Sequence, residues 1–340
     1  MSRLDLNTWR ILKTFFYYQR FLNAVKISTS YFLSKLGNKT YVWGLPYSIA
    51  IEPTTACNLR CPHCPSGLKS FSRDTGKISV ENFEKYVDDI HKTTAYLTLY
   101  FQGEPYLNPK FYDLVKYARK KRLFVATSTN AHFLDKKRAA KTIDSGINQL
   151  IISIDGLSQE TYEKYRLEGH LDKVIEGTKN LVEAKRKAQN SQTHIIWQFI
   201  VFAHNEHEVN AVKKEARRIG VDEVRIKSAQ IYDDGNSADW LPKDPKYRRY
   251  DVDGEKLQLK ASMNSHCKRL WTNPVVTWDG NVVPCCFDKD AEHQLGNLDD
   301  KTFKEIWNGK GYKDFRTKIK GGRKNIDICS NCSEGLKVWL

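Results

Sequence analysis

Three cysteines near the start of the chain have the type and spacing of ligands to an iron–sulfur cluster. Cys57, Cys61 and Cys64 form the pattern C-x3-C-x2-C. A cubane cluster normally takes four thiolates, so three leave one iron open to a ligand that is not protein. A zinc site would need a fourth ligand, and His63 would be crowded by its neighbour Cys64. Three unligated buried cysteines are the other alternative, and composition alone gives this spacing in about one chain in a few hundred.

The cysteine stretch follows the first predicted strand, residues 48–52, and resembles the motif of the radical SAM superfamily. The resemblance implies a [4Fe–4S] cluster held by Cys57, Cys61 and Cys64, whose open iron binds S-adenosylmethionine (SAM). It also implies cleavage of SAM to a 5′-deoxyadenosyl radical, which abstracts a substrate hydrogen. His63 would then pack beside the adenine, and a flavodoxin- or ferredoxin-type protein would donate the electron. In such enzymes the cofactors carry the chemistry and the protein orients them.

Strand-like and helix-like segments alternate from residue 47 to about residue 231. Strands such as 149–154 are almost continuously apolar, as a parallel sheet covered on both faces requires. Six such units predict an α/β fold, an open (β/α)6 partial TIM barrel, with its chemistry at the carboxyl ends of the strands. The predicted strands are 48–52, 96–101, 123–128, 149–154, 194–202 and 223–229, and the predicted helices are 80–93, 111–121, 135–145, 172–188 and 206–219.

Polar residues that follow the second, third and fourth predicted strands are candidates for binding SAM. Gly103-Glu104-Pro105 is similar to the family's GEP motif, which holds the methionyl amine, although Gln102 replaces that motif's usual first glycine. Arg166 is similar to an arginine that pairs with the SAM carboxylate, for which a guanidinium has a suitable bidentate geometry. Three further candidates for the ribose and carboxylate are Asn130, Ser153 and Asp155. Turn caps and a surface arginine are the structural alternatives for these four.

The last 75 residues predict a small C-terminal cysteine-rich α+β domain, a β-hairpin plus a helix. Two short apolar strands flank Asp279-Gly280, a strong hairpin signal, and a helix is predicted over residues 301–307. This layout resembles the SPASM auxiliary-cluster domain, and its shortened "twitch" form more closely. The expected divisions of the chain are 1–46, a basic amphipathic segment; 47–232, the radical SAM core; 233–265, a polar linker or insertion; and 266–340, the auxiliary domain.

The resemblance to SPASM implies a second [4Fe–4S] cluster. We predict that its ligands are Cys267, Cys285, Cys329 and Cys332, which come before the hairpin, after it and from a C-x2-C pair. Cys286 adjoins Cys285, and both could not reach one cubane without strain, so we favour Cys285. Four cysteines from two loops also describe a zinc site, which stays an alternative here.

The first 46 residues are basic and rich in aromatic side chains. No acidic residue occurs from Leu6 to Ile51, a stretch that contains six basic residues. Apolar residues recur at an irregular helical spacing, interrupted around Ser28-Thr29-Ser30. Such a helix could make peripheral contact with a membrane, or it could pack its apolar face on the outside of the barrel. The apolar residues are Trp9, Leu12, Phe15, Phe16, Leu22, Val25, Phe32 and Leu36.

Composition and charge limit the compartment and the partners. A net charge of +15 is compatible with nucleic acid, anionic lipid or an acidic substrate. The basic residues are spread along predicted helices, and no RNA-binding motif with interleaved aromatics is recognisable, which argues against nucleic acid. Clustered cysteines indicate metal rather than disulfides, and neither a signal peptide nor an 18-residue apolar run is present. We therefore expect a reducing, cytoplasmic location of bacterial type.

The predicted second cluster leads to a hypothesis for the reaction. With four cysteine ligands it has no vacant iron, and it could accept one electron from a substrate radical. The expected outcome is a two-electron oxidation of a sugar-like or other small molecule, or of a peptide side chain. A peptide-modifying maturase and a redox-neutral epimerase are alternatives, and Cys286 would be the epimerase's hydrogen donor. A non-catalytic, zinc-stapled RNA-binding protein is the most distant alternative.

Overall fold

The computed structural model describes residues 6–37, 39–189, 191–231, 237–253, 256–260, 263 and 265–334. Contacts between Cα atoms divide the chain into two compact units. The first unit comprises the described residues up to 56, residues 71–127 and those from 263 to 334. The second unit comprises residues 57–70 and the described residues between 128 and 262. The boundary between them therefore falls directly before Cys57 and again inside the third strand.

Helices and strands alternate through the middle of the chain, as the hydrophobic pattern predicts. The strands are β1 Ser48–Ile51, β2 Tyr96–Thr98, β3 Phe124–Thr129, β4 Gln149–Ser153, β5 His194–Val201, β6 Glu223–Ser228, β7 Tyr250–Asp253, β8 Lys256–Leu259, β9 Val275–Val276, β10 Asn281–Val283 and β11 Gly296–Asn297. The helices are α1 Leu6–Phe15, α2 Tyr18–Leu36, α3 Pro65–Leu68, α4 Val80–Ile90, α5 Phe111–Lys120, α6 Lys136–Asp144, α7 Gln159–Glu163, α8 Leu171–Lys187, α9 Val209–Ile219, α10 Arg269–Thr272, α11 Phe303–Asn308, α12 Lys310–Lys320 and α13 Asp327–Ser330.

In the first unit the sheet has the strand order β11-β10-β9-β1-β2-β3. Strand β1 is parallel to both β2 and β9, and β2 is parallel to β3. Strands β9 and β10 form the predicted antiparallel hairpin around Asp279-Gly280, and β11 extends it. The C-terminal hairpin thus continues the sheet next to the strand that leads into Cys57.

The second unit has parallel strands in the order β4-β5-β6. All five residues of β4 are buried, which accounts for its continuous apolar sequence. The indole N–H of Trp197 in β5 donates to the Thr178 hydroxyl in α8 (3.2 Å), so the helix is fixed over the strand by a buried hydrogen bond. The predicted linker contains an antiparallel pair, β7–β8, and two short 3₁₀ turns, Ser237–Trp240 and Pro245–Tyr247.

The six strands and five helices predicted between residues 47 and 231 are all present, with ends that differ by a few residues. The sequence pattern missed the short helices α3 and α7. Each is about one turn long, and caps and tertiary contacts rather than periodicity define helices of that length. In α7, the Ser158 hydroxyl accepts from the Thr161 N–H (3.1 Å) and starts the turn.

The packing of helices α1 and α2 differs from one of the two expectations for the N-terminal segment, that its apolar face packs on the barrel. Helix α2 does pack on the first unit, but not through its apolar face. Its buried stripe contains four polar residues and one apolar residue: Arg20, Asn23, Ile27, Ser30 and Ser34. The expected packing of the apolar face on the protein is therefore wrong. Among the described helices, none is both long and apolar enough to cross a bilayer.

Candidate cofactor-binding sites

The loop after β1 wraps tightly around its second cysteine. Cys61 is buried, whereas Cys57 and Cys64 are partly buried. The Cys64 N–H donates to the Cys61 carbonyl (3.2 Å), and α3 starts at the next residue. A Cβ atom on Gly67 of α3 would lie 2.5 Å from the Cys61 nitrogen and 2.6 Å from its carbonyl oxygen. Only glycine permits this approach, so α3 folds back closely on the backbone of Cys61.

Apolar side chains of the second unit surround these cysteines. Cys61 belongs to the buried apolar group itself, and Cys57 and Cys64 pack against its edge. An apolar shell limits water access to a metal centre and adjusts its reduction potential. Three thiols in such a shell fit an iron–sulfur cluster. The other buried members of the group are Leu59, Tyr165, Phe202, Ala229, Ile231, Leu241 and Tyr250.

His63 lies against an aromatic residue that the sequence analysis did not identify. Its imidazole meets the Trp240 indole edge-on, with ring centroids 4.9 Å apart. The same indole also contacts Phe202 at 5.4 Å and His204 at 5.8 Å. Burial lowers the pKa of His204 to about 4, so this imidazole is neutral near pH 7. Trp240 stands in a polar stretch of sequence, and an isolated large aromatic there was the available signal.

Arg166 and Asp155 form a buried ion pair beside Cys61. The Arg166 Nε atom donates to Asp155 Oδ2 at 2.6 Å, and its Nη1 lies 3.7 Å from the Cys61 sulfur. Asp155 Oδ1 accepts from the Ile200 N–H at 2.6 Å, and the side chain is fully buried. The sequence analysis named both residues but not their pairing. The pair places a fixed positive charge next to a cluster-type thiol.

Burial and mutual interaction shift the pKa values of Arg166, Asp155 and Cys61. Burial lowers the pKa of Arg166, but Asp155 and the Cys61 thiol raise it to well above its ordinary value. Burial raises the pKa of the Asp155 carboxyl, and Arg166 opposes that shift. Burial likewise raises the pKa of Cys61, again opposed by Arg166. The guanidinium therefore stays charged, and it favours a thiolate at Cys61 over a thiol.

Asn130 and Ser153 lie at the carboxyl ends of their strands, as predicted. The Asn130 amide nitrogen donates to the Asn58 side-chain oxygen (2.8 Å), which ties the end of β3 to the cysteine loop. Ser153, the last residue of β4, is buried and pairs in register with Gln198 of β5. The structure thus brings Asn130 into contact with the loop, while Ser153 is placed by its strand alone.

Gly103, Glu104 and Pro105 pack on the backbone that leads into the cysteine loop. Gly103 has φ +71°, and a Cβ atom there would lie 2.4 Å from the Thr54 carbonyl oxygen. The Glu104 N–H donates to the carbonyl of Ala56 (2.7 Å), the residue before Cys57. The Glu104 side chain is buried, and Pro105 begins a short 3₁₀ turn. The motif is therefore a tight backbone contact within the first unit.

The C-terminal cysteines have two kinds of surroundings. Burial raises the pKa of Cys285 well above its ordinary value, and the thiols of Cys286, Cys267 and Cys332 add to the shift. Burial, with the Cys267 thiol adding, raises the pKa of Cys329 to about 11 and that of Cys332 to about 12. The Cys267 thiol therefore influences the ionisation of the other three. No group of three or more His, Cys, Asp or Glu side chains suited to a single metal ion occurs in the described parts of the chain.

Cys286 has different surroundings from its neighbour. Its sulfur accepts from Arg269 Nη1 at 3.4 Å, and the side chain packs on an apolar group that includes Val275 and Val283. The second Nη of Arg269 donates to Glu334 Oε2 at 2.7 Å. Cys286 thus contacts an arginine and apolar side chains, although its thiol also influences the ionisation of Cys285.

A buried arginine accompanies the four thiols. Arg323 is 1% exposed, and its Nη1 donates to the Glu334 carbonyl at 3.0 Å. Within the described residues, its Nε and Nη2 atoms have no hydrogen-bond partner although both are buried. Electrostatic interactions link this guanidinium to Cys267, Cys329 and Cys332. Two unpaired donors beside clustered thiols fit a negatively charged iron–sulfur cluster, whose sulfur atoms would accept them.

Two family models match the chain. Residues 51–220 match the model of the radical SAM superfamily. Residues 267–333 match SPASM, described as an iron–sulfur cluster-binding domain. The two matched segments contain all eight cysteines of the sequence.

Known relatives are similar to the chain at low identity. The Fe-coproporphyrin III synthase of Methanosarcina barkeri is 25% identical over 335 residues, which cover 84% of this chain and 79% of that protein. The mycofactocin maturase MftC of Mycobacterium ulcerans is 31% identical over 139 residues, which cover 41% of this chain and 37% of that protein.

Solved structures confirm the fold. Streptococcus suis SuiB bound to S-adenosylmethionine has a TM-score of 0.66 at 12% identity, covering 99% of this chain and 80% of that chain. BtrN in complex with AdoMet and 2-DOIA has a TM-score of 0.53 at 19% identity, covering 86% and 94%. Together with the six strands and the helices between them, these likenesses confirm the predicted α/β class, an open (β/α)6 partial barrel followed by a small C-terminal domain.

Proposed function

Since the chain belongs to the radical SAM superfamily, we propose that it oxidises a sugar-like or other small substrate by two electrons. Its matched domains imply S-adenosylmethionine and two [4Fe–4S] clusters as cofactors. When bound, these cofactors supply a 5′-deoxyadenosyl radical and an electron acceptor. The observation that carries the proposal is the match of residues 267–333 to an iron–sulfur cluster-binding domain, within which Arg323 is buried.

The second unit supplies the ligands of the first cluster in this proposal. Cys57, Cys61 and Cys64 ligate it, and the apolar group around them keeps water away. Arg166, held by Asp155, presents a fixed positive charge that attracts a carboxylate such as that of SAM. Both oxygens of Asp155 already accept hydrogen bonds, so we assign it to positioning Arg166 rather than to contacting SAM.

The other SAM contacts remain proposals that rest on the motif resemblance. Gly103, Glu104 and Pro105 bind the methionyl amine, with Glu104 as the carboxylate acceptor. His63 packs beside the adenine. Asn130 and Ser153 offer an amide and a hydroxyl to the ribose or carboxylate; their positions at strand ends support this role.

For the second cluster we propose Cys267, Cys285, Cys329 and Cys332 as ligands. The thiol-lined surroundings of Cys285 support this choice, as does the enclosure of Cys286 by Arg269 and apolar side chains. Four protein ligands leave no position for substrate, which suits an electron acceptor. The positive charges of Arg323 and Arg269 would stabilise the extra negative charge of a reduced cluster.

The test uses anaerobically purified protein with both clusters loaded, SAM and reductant. Separate reactions contain a panel of aminocyclitol alcohols and a panel of peptides, and each measures 5′-deoxyadenosine and the substrate mass. The expected result is substrate-dependent 5′-deoxyadenosine and a product two hydrogens lighter. A product of unchanged mass would instead indicate epimerisation and overturn the oxidation proposal.

Peptide modification is the second candidate function. The 31% identity to a mycofactocin maturase, although it covers only 41% of this chain, favours it. The structural neighbour SuiB has also been solved with its precursor peptide, at a TM-score of 0.64. A product formed only in the peptide reactions would select this candidate.

We further propose a flavodoxin- or ferredoxin-type electron donor and a reducing, cytoplasmic location. The donor follows from the electron that the SAM-binding cluster requires, and the location from iron–sulfur cofactors that a reducing compartment protects. Replacing dithionite with a reduced flavodoxin in the same reaction tests the donor, and the expected result is continued formation of 5′-deoxyadenosine. No product with flavodoxin or ferredoxin, when dithionite supports it, would contradict that proposal.

A further inference from the structure

Helix α2 is attached to the first unit by polar side chains. Arg20 donates to the carbonyls of His91 (2.9 Å), Lys121 (2.9 Å) and Arg122 (2.7 Å). Asn23 donates to the Leu45 carbonyl at 2.8 Å and accepts from the Leu45 N–H at 2.8 Å. The contacts join side chains to backbone and fix the helix in one orientation. The side of α2 that faces the protein is therefore polar.

The opposite side of α2 is apolar and exposed. Positions three or four residues apart share one face of a helix. Tyr18 is 75% exposed, Phe21 55%, Phe32 57% and Leu36 68%. In the described part of the chain, twelve of the fifteen exposed large hydrophobic residues lie between Trp9 and Trp43. We call this surface the exposed apolar face; its members on the two helices and the turn between them are Trp9, Leu12, Phe16, Tyr18, Phe21, Val25, Phe32 and Leu36.

A helix that buries polar groups and exposes aromatic ones reverses the usual arrangement of a soluble protein. Packing normally turns the apolar stripe inward. Scattered exposed apolar residues are ordinary, but a contiguous surface of this kind marks an interaction site. Because Arg20 and Asn23 hold the polar side inward, α2 cannot turn over to bury the aromatic residues without losing those hydrogen bonds.

The charge around this face points to an anionic partner. From Leu6 to Ile51 the chain has six basic residues and no acidic one. Lys13, Lys26 and Lys35 are exposed on the same two helices. On α2, Lys26 and Lys35 lie on either side of the apolar stripe, where long side chains can reach the headgroups of an anionic surface. The aromatic residues suit the same zone, since Trp and Tyr favour the membrane–water boundary.

Helix α2 contacts the turns at one end of the first unit's sheet. Arg20 binds the turn after α4 and the turn after α5, which lead into the amino-terminal ends of β2 and β3. Strand β1 is parallel to β2, and its carboxyl end leads into Cys57. Helix α2 therefore packs at the amino-terminal ends of these parallel strands of the first unit.

We propose that the exposed apolar face docks on an anionic lipid bilayer. The two helices lie in the interface, with the aromatic side chains at the acyl boundary and the lysines at the headgroups. In this proposal they do not cross the bilayer, since no described helix is both long and apolar enough to do so. Docking through this face holds the first unit at the membrane surface.

The test is vesicle flotation with the full chain and its clusters loaded. Vesicles contain phosphatidylcholine alone or with about 30% phosphatidylglycerol, at low and at about 0.5 M salt. The expected result is binding to the phosphatidylglycerol vesicles that falls with salt, and weaker binding to phosphatidylcholine. No binding to the anionic vesicles at low salt would overturn the proposal.

Matched variants distinguish binding through the exposed apolar face from non-specific hydrophobic or electrostatic binding. Phe21→Ser with Phe32→Ser is expected to weaken partitioning at least about tenfold. Val252→Ser, at an exposed apolar residue elsewhere, is expected to leave it unchanged. Lys26→Gln with Lys35→Gln is expected to lower vesicle partitioning about fivefold per lysine. The control, Lys213→Gln with Lys214→Gln, removes the same charge from α9 and is expected to change partitioning little.

Two further measurements keep the test decisive. Formation of 5′-deoxyadenosine is expected to be the same in the Phe21→Ser, Phe32→Ser variant and the wild type, which verifies that the fold is intact. Sedimentation without vesicles is expected to show no self-association through this face. A dimer that dissociates in the variant, combined with no vesicle binding, would assign the face to a second copy of the chain and overturn the lipid proposal.

Discussion

Arg166 illustrates how a single residue acquires a function from its surroundings. Its Nε is occupied by Asp155, and its Nη1 is 3.7 Å from the Cys61 sulfur. Asp155 is in turn fixed by the Ile200 N–H. This chain of contacts leaves the guanidinium little rotational freedom, so its charge stays beside the thiol. A guanidinium held in this way can recognise a carboxylate without first having to be ordered.

We predict that Asp155→Asn is strongly destabilising. The amide can keep one hydrogen bond, but Arg166 becomes an uncompensated charge in a buried site, which typically costs about 3–5 kcal/mol. The measurement is the urea midpoint of anaerobic unfolding. Glu215→Gln is the control, because its partner Arg218 lies on an exposed helix surface and the midpoint is expected to stay unchanged. Equal midpoints for the two variants would contradict the assigned role of Asp155.

We predict that the adjacent cysteines Cys285 and Cys286 respond differently to alanine. Cys285→Ala removes a proposed cluster ligand and is expected to lower the iron content from about eight towards about four per chain. Cys286→Ala is the matched control and is expected to retain about eight, because its sulfur contacts Arg269 and apolar side chains. Iron and sulfide analysis of anaerobic protein decides between them. The reverse result would exchange the two assignments.

At the scale of elements, side chains of α2 help to close the turns of the first unit. The carbonyls that follow α4 and α5 have no further helical partner, and Arg20 supplies donors to them. A positive charge is also favourable at the negative end of a helix dipole. Helix α2 therefore stabilises the amino-terminal edge of the sheet in addition to presenting its exposed apolar face.

We predict that Arg20→Met lowers the stability of the protein by about 2–4 kcal/mol, since buried carbonyls lose their charged donor. The thermal midpoint of unfolding measures this effect. Lys26→Met on the same helix is the control; its side chain is exposed, and the midpoint is expected to be unaffected. A similar midpoint for both variants would show that the Arg20 hydrogen bonds contribute little.

We predict that Gly103→Ala disturbs the segment leading into the cysteine loop. A Cβ atom at φ +71° and 2.4 Å from the Thr54 carbonyl requires the backbone to shift, with a cost of about 1–3 kcal/mol. The expected result is a lower thermal midpoint and a reduced iron content. Gly321→Ala is the control, because Gly321 has helical φ and ordinary space for a Cβ atom. An unchanged midpoint for Gly103→Ala would contradict the close approach.

At the scale of the whole molecule, the features predicted from the sequence are those that depend on neighbouring residues. The spacing of the three cysteines, the alternation of strands and helices, and the Asp279-Gly280 hairpin are local patterns, and β1–β6 and β9–β10 follow them. Periodicity also shows that α2 has an apolar stripe. It does not show which side is buried, because that depends on carbonyls at His91 and Lys121, some 70 to 100 residues away.

The same distinction applies to the candidate sites. Arg166 and Asp155 were named from their positions after a strand, but their ion pair, and hence the positioning role of Asp155, requires the folded chain. Trp240 and Arg323 were missed because no motif surrounds them. Each acquires its place through contacts with residues distant in sequence, His63 for Trp240 and Glu334 with the C-terminal thiols for Arg323.

The central claim is that Cys57, Cys61 and Cys64 hold a cluster that cleaves SAM. The direct measurement is 5′-deoxyadenosine formed when anaerobic protein is incubated with SAM and dithionite. We predict formation by the wild type and none by Cys61→Ala, which keeps about four irons per chain in its C-terminal domain. A wild-type protein with about eight irons that forms no 5′-deoxyadenosine, or a Cys61→Ala variant that forms as much as the wild type, would contradict the claim.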